Sequence, residues 1–222
     1  MGKNEIQTHR AMYNAYRLLA ILFLGPIDAR KMLQELFTQE SIESESFKAP
    51  LCNVLDKHLK HLLMTLERYL HDDNLWREFN IDYTGCTQPK PGGTKCHIYE
   101  SVYATRGSEM PAIRASMVLE ELVKYYKTTG LEPSGIRSPD HISVELDYLA
   151  ALHMAQAEAL SQNKTDLADQ VASIRRQFIS EHAAKWMPEM INCILSCAND
   201  QLLKLMAESL RVLLECEDKI SS

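Results

Sequence analysis

Leu51, Val54, Leu55, Leu59, Leu62, Leu63, Leu66 and Leu70 follow one another at short steps that keep them on one side of a helix with 3.6 residues per turn. The same period recurs along most of the chain. It runs through Ile6, Tyr13, Tyr16, Ala20 and Phe23, through Met32, Leu33, Leu36 and Phe37, and through Ile113, Met117, Val118, Leu122, Tyr125 and Tyr126. It returns through Ile142, Leu146, Leu149 and Leu152, through Leu167, Val171, Ile174 and Phe178, and from Ile191 to Leu213. No segment alternates β-branched residues between turn signals. Such a chain buries its apolar stripes by packing helix on helix. The expected fold class is therefore all-α, one globular multi-helix domain over residues 1–222, with about eight to ten helices packed ridges into grooves.

Local signals divide the pattern. Gly25-Pro26-Ile27-Asp28 reads as a helix stop followed by a new cap, Ser41 to Ser46 as a polar connection, and Pro50 as a first-turn proline. Asp72 or Asp73 caps a short helix holding Leu75, Trp76, Phe79 and Tyr83. From Thr84 to His97 the period is lost among Gly85, Pro89, Pro91, Gly92 and Gly93, which predicts a loop. Gly130 is placed to end the next helix, and Ser138 and Pro139 to open the one after it. Residues 130–138 thus offer a hinge between two helical halves, so either a monomer or a homodimer is expected. The helix after Thr165 is expected to reach Trp186 and stop before Pro188, and a single last helix to carry Ile191 through Leu213.

The net charge of −6 argues against a nucleic-acid binder, which needs Lys and Arg to neutralise phosphates, and leaves cationic peptides as partners. The apolar run Leu18 to Leu24 falls far short of the roughly 20 residues that span a bilayer. It has no small-residue cleavage site after it, so no stable membrane insertion and a cytoplasmic location are expected. There the six cysteines are expected to stay reduced, mostly as small core residues, with Cys193 and Cys197 on the apolar face of the last helix.

Functional candidates cluster between Asp82 and Leu149. Asp140 and His141 stand at a helix start, where the carboxylate suits the positive end of the dipole and the imidazole does not. Tyr99 and Tyr103 fall at i and i+4 around Glu100, directly after the loop; they make either a packing pair or a surface for a partner with apolar and basic groups. Gly92-Gly93-Thr94-Lys95 lacks the spacing of a phosphate loop. Cys86, Cys96 and His97, with His141, would serve a small metal- or nucleotide-dependent enzyme, but Cys86 and Cys96 are not at a zinc spacing. No hydrolase, zinc-protease, dinucleotide or kinase signature is present. A non-enzyme that needs no metal or cofactor is favoured, with a plain helical scaffold as a further alternative.

Tyr99-Glu100-Ser101-Val102-Tyr103, followed by Pro139-Asp140-His141-Ile142-Ser143-Val144-Glu145-Leu146, resembles the signature pair of the TorD/DmsD/NarJ-like family of redox-enzyme maturation chaperones. Asp82-Tyr83 is similar to the opening of the family's first motif, Tyr126 to Leu131 to its helix end before the hinge loop, and the spaced set Phe178, His182, Trp186 and Pro188 to its C-terminal segment. Thr84, Gly85, Cys86 and Thr87 depart from the family, which has an Arg and an apolar-aromatic pair there. The resemblance implies an all-helical cytoplasmic chaperone. Its partner would be the twin-arginine leader, or the apo catalytic subunit, of a molybdenum or tungsten oxidoreductase, held until the molybdopterin cofactor is loaded. It implies partner contacts at Asp140, His141, Tyr99, Glu100 and Tyr103, with Trp76, Phe79 and Tyr83 as apolar neighbours.

Overall fold

A computed structural model describes residues 2–39, 53–131 and 137–220. Its elements are α1 (Gly2–Leu22), α2 (Pro26–Gln39), α3 (Asn53–His71), α4 (Asp73–Thr87), α5 (Glu100–Ala104), α6 (Pro111–Thr128), α7 (Ile142–Ser161), α8 (Thr165–Phe178), a π-helical turn (Ile179–Ala183), α9 (Ala184–Cys197) and α10 (Gln201–Ile220). The fold is all-α. Among the described residues the only β-type pairing is one isolated bridge, Tyr99 with His141. The expected connection at Ser41 to Ser46, the start at Pro50 and most of the hinge at 130–138 lie outside the described residues.

α1 and α7 form the most extensive helix pair and are the spine of the molecule. Small buried residues allow their close approach, Ala11 and Ala15 on α1 and Ala150 and Ala157 on α7. α8 packs on α7, α3 and α9 pack on α10, and the short α5 is held between α6 and α9. The buried apolar side chains form one cluster through all of these layers. Fully burying a side chain such as Phe79 or Leu146 contributes about 1.5–3 kcal/mol, and so many of them need no further support.

The helix ends follow local chemistry. Asp72 caps α4 by accepting from the N–H groups of Asn74 (2.9 Å) and Leu75 (3.2 Å). At the end of α6, Leu131 N–H donates to the Tyr126 carbonyl (2.9 Å) and Gly130 N–H to that of Lys127 (3.1 Å), with Gly130 at φ +70°. That is the paired bonding of a Schellman turn, and it needs a residue that tolerates positive φ.

Four boundaries differ from expectation. α4 runs one turn further than predicted, to Thr87, which leaves a shorter loop. α7 begins at Ile142 with His141 as its cap, while Ser138-Pro139-Asp140 forms a turn closed by His141 N–H on the Ser138 carbonyl (3.0 Å). The helix expected to stop before Pro188 passes through the π turn and continues past Pro188, the fifth residue of α9, because proline's fixed φ is helical and it forgoes only its own N–H bond to the preceding turn. The single last helix is broken at residues 198–200. There the Asp82 carboxylate accepts from Asn199 and Asp200 N–H (2.8 Å each) and Asp200 caps α10 at Leu202 N–H (2.8 Å) and Leu203 N–H (3.1 Å).

Candidate functional site

The two motifs meet backbone to backbone. Glu100 N–H donates to the Asp140 carbonyl (3.0 Å) and Ile142 N–H to that of Ile98 (3.0 Å), so Tyr99 and His141 face each other in an antiparallel bridge. Tyr99 is therefore extended and stands just before α5 instead of opening it. Its ring meets the His141 ring edge to face at 5.0 Å and stays partly exposed, at 37%. Tyr103 turns inward against Trp186 (5.5 Å) and donates from its hydroxyl to the His97 carbonyl (2.7 Å). The two phenols do not share one surface.

The polar residues of the motifs are mostly buried and paired largely within the chain. Asp140 accepts from Ser101 N–H (3.2 Å) and from the Ser101 and Ser138 hydroxyls, and is 2% exposed. It is a cap for α5 contributed by a distant segment. His141 Nδ1 accepts from Ser143 N–H (3.1 Å), which supplies the reason for an imidazole at this helix start. Burial, with the Arg137 cation nearby, lowers the His141 pKa to about 4, so the ring is neutral and free to accept at neutral pH.

Glu100 accepts from His182 Nδ1 (3.0 Å), and His182 sits in the π turn, where the widened backbone carries it inward. Glu145 accepts from Trp186 Nε1 (3.1 Å) and is completely buried. Burial, reinforced by the Glu100 charge beside it, pushes the Glu145 carboxyl well above the ordinary range. Tyr126 hydroxyl donates to the Pro139 carbonyl (2.8 Å) and fixes the turn from α6. Glu145, His182, Trp186 and Tyr126 are members of this constellation that the site reading did not include. His141 and Glu145, one helical turn apart, point to different partners, Ser143 and Trp186.

Trp76, Phe79 and Tyr83 lie in a row on α4 and are buried against the α1–α2 turn, as Trp76 Nε1 donates to the Pro26 carbonyl (3.2 Å) and Tyr83 hydroxyl to that of Phe23 (3.0 Å). They support a surface and do not form it. Above them opens a cavity of about 370 Å³ between the α1–α2 turn, α4 and Arg137. Ile27 and Ile81 stand at this cavity and are 80% and 64% exposed. Arg137 crosses it, donating to the Leu24 carbonyl (2.8 Å) and to Asp28 (2.6 Å).

The cysteines depart from expectation in their bonding. Cys86 is bonded to Cys197 and Cys96 to Cys193, so these four are neither reduced nor metal thiolates, while Cys86, Cys96 and Cys216 are core residues as expected. Cys52 lies outside the described residues. No group of three or more His, Cys, Asp or Glu with metal-binding geometry occurs among the described residues. No described helix is long and apolar enough to cross a membrane.

The bundle is all-helical, and its motif segments 99–103, 138–146 and 178–188 close on one another. The family model described as nitrate reductase delta subunit matches residues 52–192, and the chain belongs to this family, the TorD/NarJ type of redox-enzyme chaperone. It is 28% identical over 126 residues to the chlorate reductase assembly chaperone protein of Ideonella dechloratans, and 27% identical over 126 residues to the selenate reductase assembly chaperone protein of Thauera selenatis. Each match covers 55% of this chain and 61% of the relative, so the chain spans less than two thirds of the length of these relatives. No solved structure matches it.

Proposed function

We propose that this protein is an assembly chaperone that binds the twin-arginine leader or the apo catalytic subunit of a molybdenum or tungsten oxidoreductase and holds it during cofactor loading, on the cytoplasmic side and without catalysing a reaction. The observation that carries this reading is the closure of Tyr99-Glu100 onto Asp140-His141 inside the family-matched region, next to a cavity with exposed Ile27 and Ile81. The buried network fixes the bridge, and the bridge presents the exposed edge of Tyr99. The cavity accepts an apolar side chain of the partner. Asp28, whose side chain is 60% exposed, is the carboxylate available at the cavity; a partner arginine would take the place of Arg137 on it. Glu100, Asp140, His141 and Tyr103 then act by holding the surface, with Trp76, Phe79 and Tyr83 beneath it.

Calorimetric titration with twin-arginine leaders of candidate subunits, each beside a version with both arginines replaced by alanine, tests the reading. Saturable binding on the order of micromolar, weakened by the alanine version, is expected. If neither a leader nor an apo catalytic subunit binds the folded protein, the reading fails.

A further inference from the structure

The loop 88–98 is fastened to the bundle from one side. Cys96 N–H donates to the Cys86 carbonyl (2.9 Å), which closes the base of the loop. Each of these two cysteines is bonded to α9, Cys86 to Cys197 and Cys96 to Cys193, with Cα atoms 6.0 and 5.6 Å apart. Cys193 and Cys197 are four residues apart on one helix, so they stand one turn apart on the same face and the two bonds lie side by side. The exposure of the four cysteines is unequal. Cys86 and Cys96 are buried in the core, whereas Cys193 and Cys197 are only half-buried at its margin. The noncovalent contacts that follow the loop are independent of these bonds: Tyr103 hydroxyl to His97, Ile142 N–H to Ile98 and Glu100 N–H to Asp140.

We propose that the paired disulfides are a thiol-exchange site, at which a low-molecular-weight thiol attacks Cys193, which frees the loop from α9, or Cys197, which unfastens the α4 end at the base of the loop, without unfolding the bundle. The incoming thiolate forms a mixed disulfide with the half-buried sulfur. The cysteine–cysteine bond breaks, and its electron pair leaves on Cys96 or Cys86, which takes a proton from water. A second thiolate attacks the small-molecule sulfur of that mixed disulfide, releasing the α9 thiolate and a small disulfide. Excess small disulfide runs the same steps backwards. A compartment rich in small thiols would keep the site in exchange. The consequence is local, because loop 88–98 leads straight into Tyr99 and loses its covalent anchor at Cys96, and the base of the loop its anchor at Cys86, while the core beneath remains packed. This goes beyond the chaperone reading and requires no client.

The test is peptide mapping of the oxidised full-length chain after blocking any free thiols, followed by a brief exposure to reduced glutathione and by amide exchange before and after full reduction. Linked peptides Cys86–Cys197 and Cys96–Cys193 are expected, with glutathione first on Cys193 or Cys197. Full reduction should raise exchange of the Cys96 amide by about tenfold or more while α1 and α7 keep their protection. Free thiols or other pairings at Cys86, Cys96, Cys193 or Cys197 in the oxidised chain, glutathione first on Cys86 or Cys96, unchanged exchange at Cys96, or loss of protection throughout the bundle would each overturn the proposal.

Discussion

Two sets of buried ionisable side chains lie in this bundle, and they are paired in different ways. Beside the motif bridge, Glu100, Asp140, His141 and Glu145 are paired mostly with neutral donors: Ser101 hydroxyl, the Ser143 amide, Trp186 indole. Between α1, α7, α8 and α10 stands a second set built around a permanent cation. Arg175 donates to Gln156 (2.5 Å) and to His153 Nδ1 (3.2 Å) and pairs through Nε with Glu217 (3.3 Å). His153 Nε2 donates to the other Glu217 oxygen (2.7 Å), so its Nδ1 is the acceptor and His9 reaches it at 3.0 Å. Tyr16 stacks on His153. The second set draws on α1 and α10, outside the family-matched region, and ties the ends of the chain together; the first lies within that region. One is an electrostatic lock. The other is a shaped surface support.

The difference predicts how each fails. The largest effect is expected from Glu217→Ala, which leaves the Arg175 charge buried and uncompensated. Chemical denaturation should show a loss of about 3–5 kcal/mol, and a loss below about 1 kcal/mol would mean that water reaches the cluster. Asp140→Ala strands the Ser101 donors without burying an unpaired ion, so about 1–3 kcal/mol is expected from the same measurement. A client-binding defect in that variant should follow the displaced bridge.

Acid also separates the two sets. Burial, with the neighbouring His153 and the Arg175 cation, lowers the His9 pKa to about 3, and burial likewise lowers that of His153. Both rings take up protons more readily when unfolded, so stability falls as pH drops below about 6.5, at a rate of up to about 1.4 kcal/mol per pH unit for each ring. Burial alone would raise the Glu217 carboxyl, but His153 and Arg175 outweigh it and hold it at about 2; its contribution is lost only in stronger acid, as pH falls below about 4.5. Glu145 runs the other way, because a carboxyl held protonated by burial costs stability as pH rises above about 4.5. Glu145→Gln keeps an acceptor for Trp186 and removes that cost. A gain of about 1 kcal/mol near pH 8 is expected, shrinking toward pH 5 in thermal melts. Smallest of all is Tyr99→Ala, within about 1 kcal/mol of the parent because the ring is partly exposed; its effect should appear in partner binding instead.

Much of this fold is legible in the sequence because its signals are local. Asp72 as a cap and Gly130 as a helix end work through residues within five positions, and the apolar periods locate the helices around them. The break at Ala198 was hidden because Ala198 keeps the apolar period while its capping partner, Asp82, comes from α4. Long-range partnership also explains what the site motifs left unseen. Glu100 meets His182 from 82 residues away and Asp140 meets Ser101 from 39, so residues that look suited to a partner are occupied inside the chain. The disulfides join positions 111 and 97 apart, beyond any spacing rule. His9, His153, Arg175 and Glu217 stood out in no pattern. They stand on largely apolar helix faces, and only packing brings them together.

The most direct test of the account is amide exchange of the full-length protein alone and saturated with an apo catalytic subunit that it binds. The account predicts added protection at residues 97–104 and 137–146 and along the cavity edge at Ile27 and Ile81, with the amides around His153 and Arg175 unchanged. Protection confined to the Arg175 cluster, with the Tyr99–His141 bridge unaffected, would contradict it.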